Sequence, residues 1–169
     1  MGEMKMKIFK KIVHTLSWFC YLFIIVYALL CAPYIFGYKP LVVLTGSMEP
    51  TFKTGSIIYY KTVSKNEIKE GDIITFKSGD SLVSHRVNKI ENYIYETKGD
   101  ANNTVDANRI EFSDIVGKDT NINIPYVGYY VKYINDHMYI LIIVAVVLVL
   151  DFILSNIKIN NEKSIEKNL

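Results

Sequence analysis

Cysteine is nearly absent: only Cys20 and Cys31 occur in 169 residues, and both fall in one apolar run. Eleven positions along a single helix separate them by about 16 Å, too far for a disulfide. Both thiols are expected to face lipid or a neighbouring helix, and the rest of the chain has no disulfide framework and no thiolate zinc site. Histidine is scarce as well. His14, His85 and His137 are scattered, which argues against a zinc centre, so no metal and no other cofactor is expected. A glycine-rich phosphate loop is missing, because "GDIITF" and "VGKDT" lack the required spacing. No charge of one sign dominates. The net charge of +2 implies no basic surface for nucleic acid. There is no internal repeat and no low-complexity segment.

What is plentiful is apolar sequence, half of the chain, concentrated in two long runs. Lys5, Lys7, Lys10 and Lys11 crowd the N-terminus, and an uncharged stretch follows from Leu16 to Phe36. A spanning helix needs about 20 apolar residues, and a cleaved signal peptide has an apolar core of only about 7–15. The length therefore predicts a retained membrane anchor with its lysine-rich end in the cytoplasm. The second run, "MYILIIVAVVLVLDFILSNI", starts at Met138 and is apolar on all sides rather than along one stripe. Asp151 interrupts it. A mid-bilayer aspartate costs about 2.5–3.5 kcal/mol, but one near a helix end reaches the interface. Tyr126, Tyr129, Tyr130 and Tyr133 precede this run as a potential interfacial belt.

Two spans give the expected organisation. Residues 1–11 form a cytoplasmic basic N-terminus, 12–36 a first transmembrane helix and 37–136 an extracytoplasmic domain. Residues 137–157 form a second transmembrane helix and 158–169 a solvated cytoplasmic tail. The partner implied by the runs themselves is the lipid bilayer.

Between residues 40 and 125 no helical period is sustained, and short β-rich runs alternate with turn residues. "LVVL", "SIIYYK", "GDIITFK", "SLVSHRVNKI" and "YIYET" read as strands, the last two as a hairpin turning at Glu91-Asn92. The predicted fold class is mainly β: a small β domain anchored by an N-terminal and a C-terminal transmembrane helix. Alternation puts Val83, His85 and Val87 on one face of their strand and Leu82, Ser84 and Arg86 on the other.

Within this domain the groups able to do chemistry are a serine, a histidine and aspartates. "LTGSMEP" places Ser47 where an apolar run ends. His85 lies inside another strand, and "TKGDANNTVD" supplies Asp100 and Asp106 after a third. A serine hydroxyl is a weak nucleophile that needs a base. Imidazole, with an ordinary pKa of about 6.5, suits that task, and a carboxylate behind it fixes the tautomer. Each residue also has a plainer reading. Ser47 would start a turn before Pro50, and His85 would be a core histidine with one hydrogen bond. Asp100 would be a turn residue bonding its own backbone, and Asp106 an exposed loop carboxylate. Composition and spacing leave both sets open.

The segments "TGSMEPTFKTGSIIYYK", "EGDIITFK", "SHRVNKI", "TKGDANNTVD" and "IVGKDTNINIPYVGYY" occur in the order seen in type I signal peptidases, over most of the outer domain. The chain resembles the endoplasmic-reticulum-type branch, which includes Gram-positive and archaeal members. The commoner bacterial branch has a lysine where this chain has His85. The resemblance implies a membrane-bound serine endopeptidase that removes signal peptides from secretory preproteins. Ser47 would be its nucleophile and His85 its general base. In that branch the important acid lies six positions after the aspartate of the Gly-Asp box, which gives Asp106; Asp100 is left as a supporting acid.

Two departures accompany the match. The family often has a serine two places before the nucleophile that lends a hydroxyl to the oxyanion site. Here that place holds Thr45, which keeps the hydroxyl, and the Ser47 backbone N–H would be the other donor. "GDANN" also carries an inserted-looking Ala101. The family binds substrate as an added β-strand with shallow pockets for small side chains. Edges around Val43, Leu44 and Thr45 and around Leu82, Val83 and Ser84 are expected to do so here.

Ser47 follows the first anchor by about ten residues, at most about 36 Å of chain, so it is expected close to the membrane surface. The resemblance also implies possible accessory membrane subunits and a cell-membrane location with both termini cytoplasmic. Asn102-Asn103-Thr104 fits a glycosylation acceptor inside the proposed active-site loop, which favours a prokaryotic membrane. The alternative reading is an inactive relative: a two-span protein whose β domain binds a partner without catalysis.

Overall fold

The computed structural model describes residues 2–166, with side chains described for residues 4–157. The chain divides into two compact units, one comprising Leu30–Tyr133 and the other the two long apolar helices with the sequence around them.

The first unit is a seven-stranded antiparallel sheet. Its strands are β1 (Tyr38–Val42), β2 (Ile57–Lys61), β3 (Ile73–Ser78), β4 (Ser81–Glu91), β5 (Ile94–Lys98), β6 (Ile110–Glu111) and β7 (Ile115–Ile124), in the order β1-β2-β7-β3-β4-β5-β6. The mainly β expectation holds, and three differences of detail accompany it. The apolar run after Gly37 pairs as Tyr38–Val42 and leaves Val43 to Thr45 outside any strand. The β4–β5 hairpin turns one residue later than expected, at Asn92 and Tyr93, both left-handed with φ of 50° and 61°. Two successive positive φ values suit the right-handed twist of the flanking strands. Finally β7, polar enough to escape a reading by alternation, lies inside the sheet, paired to both β2 and β3.

Alternation along β3 sends Ile73 and Ile74 to opposite faces, and each belongs to its own core. Ile74 and Phe76 pack with Ile68, Val87, Tyr95 and Ile110. Ile73 packs with Ile58 and with Met48 and Phe52, which belong to the loop after Ser47. Met48 is therefore a packing residue. Burying side chains of this size stabilises the loop by roughly 1.5–3 kcal/mol each. Two apolar anchors thus seat the turn that carries Ser47, and the Glu49–Pro50 peptide within it is cis.

The second unit contains α1 (Gly2–Cys31) and α3 (Tyr139–Glu166); α2 (Val127–Asp136) precedes α3 as a separate short helix. Segments Met4–Phe36 and Tyr139–Ile157 are long and apolar enough to cross a membrane. On α1 the buried Val13, Ser17 and Cys20 recur at helical spacing, and the Ser17 hydroxyl donates to the Val13 carbonyl at 3.0 Å. His14 Nδ1 lies 3.3 Å from Asp151 Oδ1. Residues near the middle of α1 and of α3 thus stand side by side. The aspartate that interrupts the apolar run has a polar partner among the helices. The expected tail at residues 158–169 is helical in backbone to Glu166; its side chains and its last three residues lie outside the described residues.

Candidate active site

Ser47 reaches the site from a tight turn. The Glu49 N–H donates to the Gly46 carbonyl at 3.0 Å, and the Phe52 N–H to the Met48 carbonyl at 2.9 Å. His85 comes from the middle of β4, on the face shared with Val83 and Val87. Its neighbour across the ladder is Ile74, and its ring stands edge-on to Phe76 at 6.3 Å between centroids. The imidazole is mostly buried, so its nitrogens need protein partners, and both have one.

His85 Nε2 lies 3.0 Å from Ser47 Oγ, and His85 Nδ1 lies 2.6 Å from Asp106 Oδ2. An ionised carboxylate only accepts hydrogen bonds, so Nδ1 carries the proton and Nε2 presents its lone pair to the serine hydroxyl. Three residues far apart in sequence form one hydrogen-bonded line. The Thr45 hydroxyl stands 3.4 Å from Ser47 Oγ, close enough to meet charge developing beside it. This is the arrangement needed to activate a hydroxyl and return a proton to a leaving group.

Asp100 does not join that line. Its carboxylate is held by Arg86, Nε to Oδ1 at 2.8 Å and Nη2 to Oδ2 at 2.7 Å, with the Thr51 hydroxyl donating to Oδ2. The Arg86 hydrogen bonds, above all, hold the Asp100 carboxyl below the ordinary aspartate range, and partial burial works against them. Asp100 in turn raises the Arg86 guanidinium. Arg86 also donates to the Gly71 carbonyl at 2.8 Å, tying β4 to the loop before β3. Asp100 thus sits in the turn after β5 with its carboxylate paired to Arg86 of β4 rather than to its own backbone.

Beside Ser47 opens a cleft of about 460 Å³. All five residues expected to bind substrate line it: Val43 and Leu44 on one side, Leu82, Val83 and Ser84 on the other. Thr45 and Ser47 stand at its edge, and Met48 and Phe52 contribute to its wall. The Val43 backbone is engaged, its N–H to the Ser56 carbonyl at 2.9 Å and its carbonyl to the Gly55 N–H at 2.8 Å. The cleft is apolar and strand-walled, which fits an extended apolar peptide better than a charged small molecule. Among the described residues no cluster of three or more His, Cys, Asp or Glu is placed to hold a metal ion.

Four site features escape reasoning from the sequence. Arg86 adjoins His85 and points to the opposite face, so proximity along the chain hides its role beside Asp100. Thr51 and Thr97 carry no pattern that marks them as polar partners of aspartates. Gly99 matters through its backbone. The Ala101 N–H donates to the Ser47 carbonyl at 2.9 Å, and a Cβ on Gly99 would stand 2.6 Å from that same oxygen. The only sequence signal is the Gly-Asp pair itself, where a glycine allows two backbones to approach.

Residues 15–119, more than half of the chain, match the family described as signal peptidase, peptidase S26. Signal peptidase I W of Bacillus subtilis (strain 168) is 35% identical over 99 residues, covering 55% of this chain and 52% of its own. The human signal peptidase complex catalytic subunit SEC11C is 35% identical over 111 residues, 57% of each chain. The putative human catalytic subunit SEC11B is 32% identical over 114 residues, 59% of this chain and 68% of its own. The chain thus spans about half the length of the first two relatives. With the family match running from within α1 through the Ser47 turn and β4 to Asp119, the chain belongs to the signal peptidase family, peptidase S26.

Proposed function

We propose that this chain is a membrane-bound serine endopeptidase that removes N-terminal signal peptides from exported preproteins, with Ser47 as nucleophile and His85 as general base. The observation that carries this reading is the hydrogen-bonded line Ser47 Oγ–His85 Nε2 and His85 Nδ1–Asp106 Oδ2, at 3.0 and 2.6 Å. It opens on an apolar cleft.

A preprotein lies extended between residues 43–45 and 82–84, its small residues before the cut filling shallow pockets. Ser47 Oγ attacks the scissile carbonyl carbon as Nε2 takes the hydroxyl proton. The oxygen that becomes negative is met by the Thr45 hydroxyl and the Ser47 backbone N–H. Asp106 stabilises the imidazolium and keeps its orientation without taking the proton itself. The imidazolium gives its proton to the leaving amine, which departs as the new N-terminus of the mature protein. A water molecule, deprotonated by Nε2, then hydrolyses the ester that links the signal peptide to Ser47.

The same reading sets the topology. Residues 1–11 are the cytoplasmic N-terminus, 12–36 and 137–157 span the cell membrane, 37–136 face outward with the site, and 158–169 return to the cytoplasm. The lysine cluster before the first span supports that orientation. Signal peptides and the bilayer are then its partners, with accessory membrane subunits a further one, in keeping with the complex named for the SEC11C relative.

The test is cleavage of a secretory precursor in cells depleted of other signal peptidase activity. Ser47→Ala and His85→Ala should each slow precursor conversion by about 10⁶-fold and Asp106→Ala by about 10⁴-fold while the protein remains in the membrane. Wild-type conversion by Ser47→Ala would reject catalysis and leave partner binding by the β domain as the function.

A further inference from the structure

The oxygen of Asp106 that meets the imidazole has a second donor. Thr97 Oγ1 lies 2.6 Å from Asp106 Oδ2, the atom that also receives His85 Nδ1 at 2.6 Å. Thr97 is fully buried in β5. Its place follows from register: Thr97 stands opposite Val87, two residues beyond His85 on the same face of β4. Thr97 also holds Asp106 from the main chain, since its carbonyl accepts the Asp106 N–H at 2.8 Å. One threonine therefore fixes both ends of the aspartate, backbone and carboxylate.

We propose that Thr97 is a positioning residue for the Ser47–His85–Asp106 line, setting the carboxylate so that Oδ2 faces imidazole Nδ1; this rests on the peptidase reading above. The physical argument is one of alternatives. Asp106 is partly open to water, its side chain 22% exposed, and a carboxylate there has solvent to turn toward. A buried hydroxyl has a single proton to donate, and in this fold it goes to Oδ2. Two donors converging on one oxygen hold the carboxylate against rotation. That in turn keeps the proton on Nδ1 and the lone pair of Nε2 toward Ser47. Removing the hydroxyl leaves the imidazole as the only side-chain donor at Oδ2 among the described residues. The carboxylate then turns toward water, and the productive tautomer is no longer enforced.

The experiment compares wild type, Thr97→Val, Thr97→Ser and the controls Ser47→Ala and His85→Ala, each as the full chain in detergent or lipid vesicles. The probe is a fluorogenic peptide with an apolar segment followed by small residues at the cut. Valine keeps the shape and loses the donor; serine keeps the donor. Thr97→Val should lower kcat about ten- to hundredfold, the range expected for a hydrogen bond to a charged group. KM should be unchanged, and Thr97→Ser should recover most of the rate. A purely structural role would lower Tm in both variants and leave kcat of the folded fraction intact. Full kcat in folded Thr97→Val, with both controls inactive, overturns this proposal alone. Activity in Ser47→Ala or His85→Ala overturns the peptidase reading and this proposal with it. If Thr97→Val does not accumulate folded, Thr97→Ala, which has no donor and adds no bulk, replaces it with the same outcomes.

Discussion

In the proposed mechanism Ser47 serves as a nucleophile only while its hydroxyl stays within reach of the imidazole, and contacts from the backbone of the Gly-Asp box bear on its position. Gly99 and Ala101 press against the Ser47 carbonyl from the far side. A methyl group at residue 99 would meet that oxygen at 2.6 Å, with the Asn102 side chain behind it at 2.8 Å, so something must move. Gly99→Ala should displace the serine and cut kcat by about 10²-fold, the scale set by misplacing a reacting group by an ångström. Circular dichroism should show the sheet retained; an unchanged kcat would contradict the contact.

Asp100 belongs to the same scale but to a different property. Its depressed carboxyl stabilises the fold above the unfolded aspartate value of about 3.9, and that stability is lost as pH falls through the lower folded value. Asp100→Asn should lower stability at pH 7 by about 1.5–3 kcal/mol and flatten the decline below pH 4. Denaturant titrations at several pH values check both. A decline below pH 4 as steep as in wild type would assign it to other groups.

Among the elements, β7 shows how burial overrides pattern. "IVGKDTNINI" reads as polar, yet it is an interior strand between β2 and β3, with Gly117 and Asp119 buried. Gly117 is required by space, since a Cβ there would stand 2.6 Å from the Lys61 carbonyl oxygen. Asp119 has one oxygen satisfied by the Asn121 N–H at 2.7 Å and the other buried with no donor among the described residues. Burial pushes its carboxyl up to about 6. The sign follows from linkage: the folded state holds this proton more tightly than the unfolded chain. The contribution is present below about pH 4 and lost as pH rises through about 6, by up to about 3 kcal/mol. Between pH 4.5 and 7.5 the wild type should lose more stability than Asp119→Asn. Parallel curves for the two would show that Asp119 is not the titrating group.

The strands legible in the sequence, β2 to β5 and part of β1, are those with short runs of β-branched and aromatic residues bounded by turn residues. The interior place of β7 was not legible, because strand order is a long-range property that no local period records. The same limit applies at the site. Ser47, His85 and Asp106 were picked out by residue type and family spacing. Arg86 and Thr97 become visible only when β4 and β5 are paired, since their partners are distant in sequence or lie on the other face.

For the whole molecule, a domain of 104 residues carries the Ser47–His85–Asp106 line, and two apolar helices accompany it. The helices share a polar contact, His14 with Asp151, in an otherwise apolar setting, where ionisable groups are costly unless paired. The cleft beside Ser47 is mostly apolar, a lining that suits extended chain better than a charged small molecule. All of these features serve one chemical claim, that the Ser47 hydroxyl cuts a peptide bond with His85 as its base. The most direct measurement uses the purified full chain and its Ser47→Ala variant in lipid vesicles, each incubated with one secretory precursor. The new N-termini are read by mass spectrometry. The account predicts a single mature N-terminus following small residues from wild type and none from the variant. The same product at the same rate from both would contradict it.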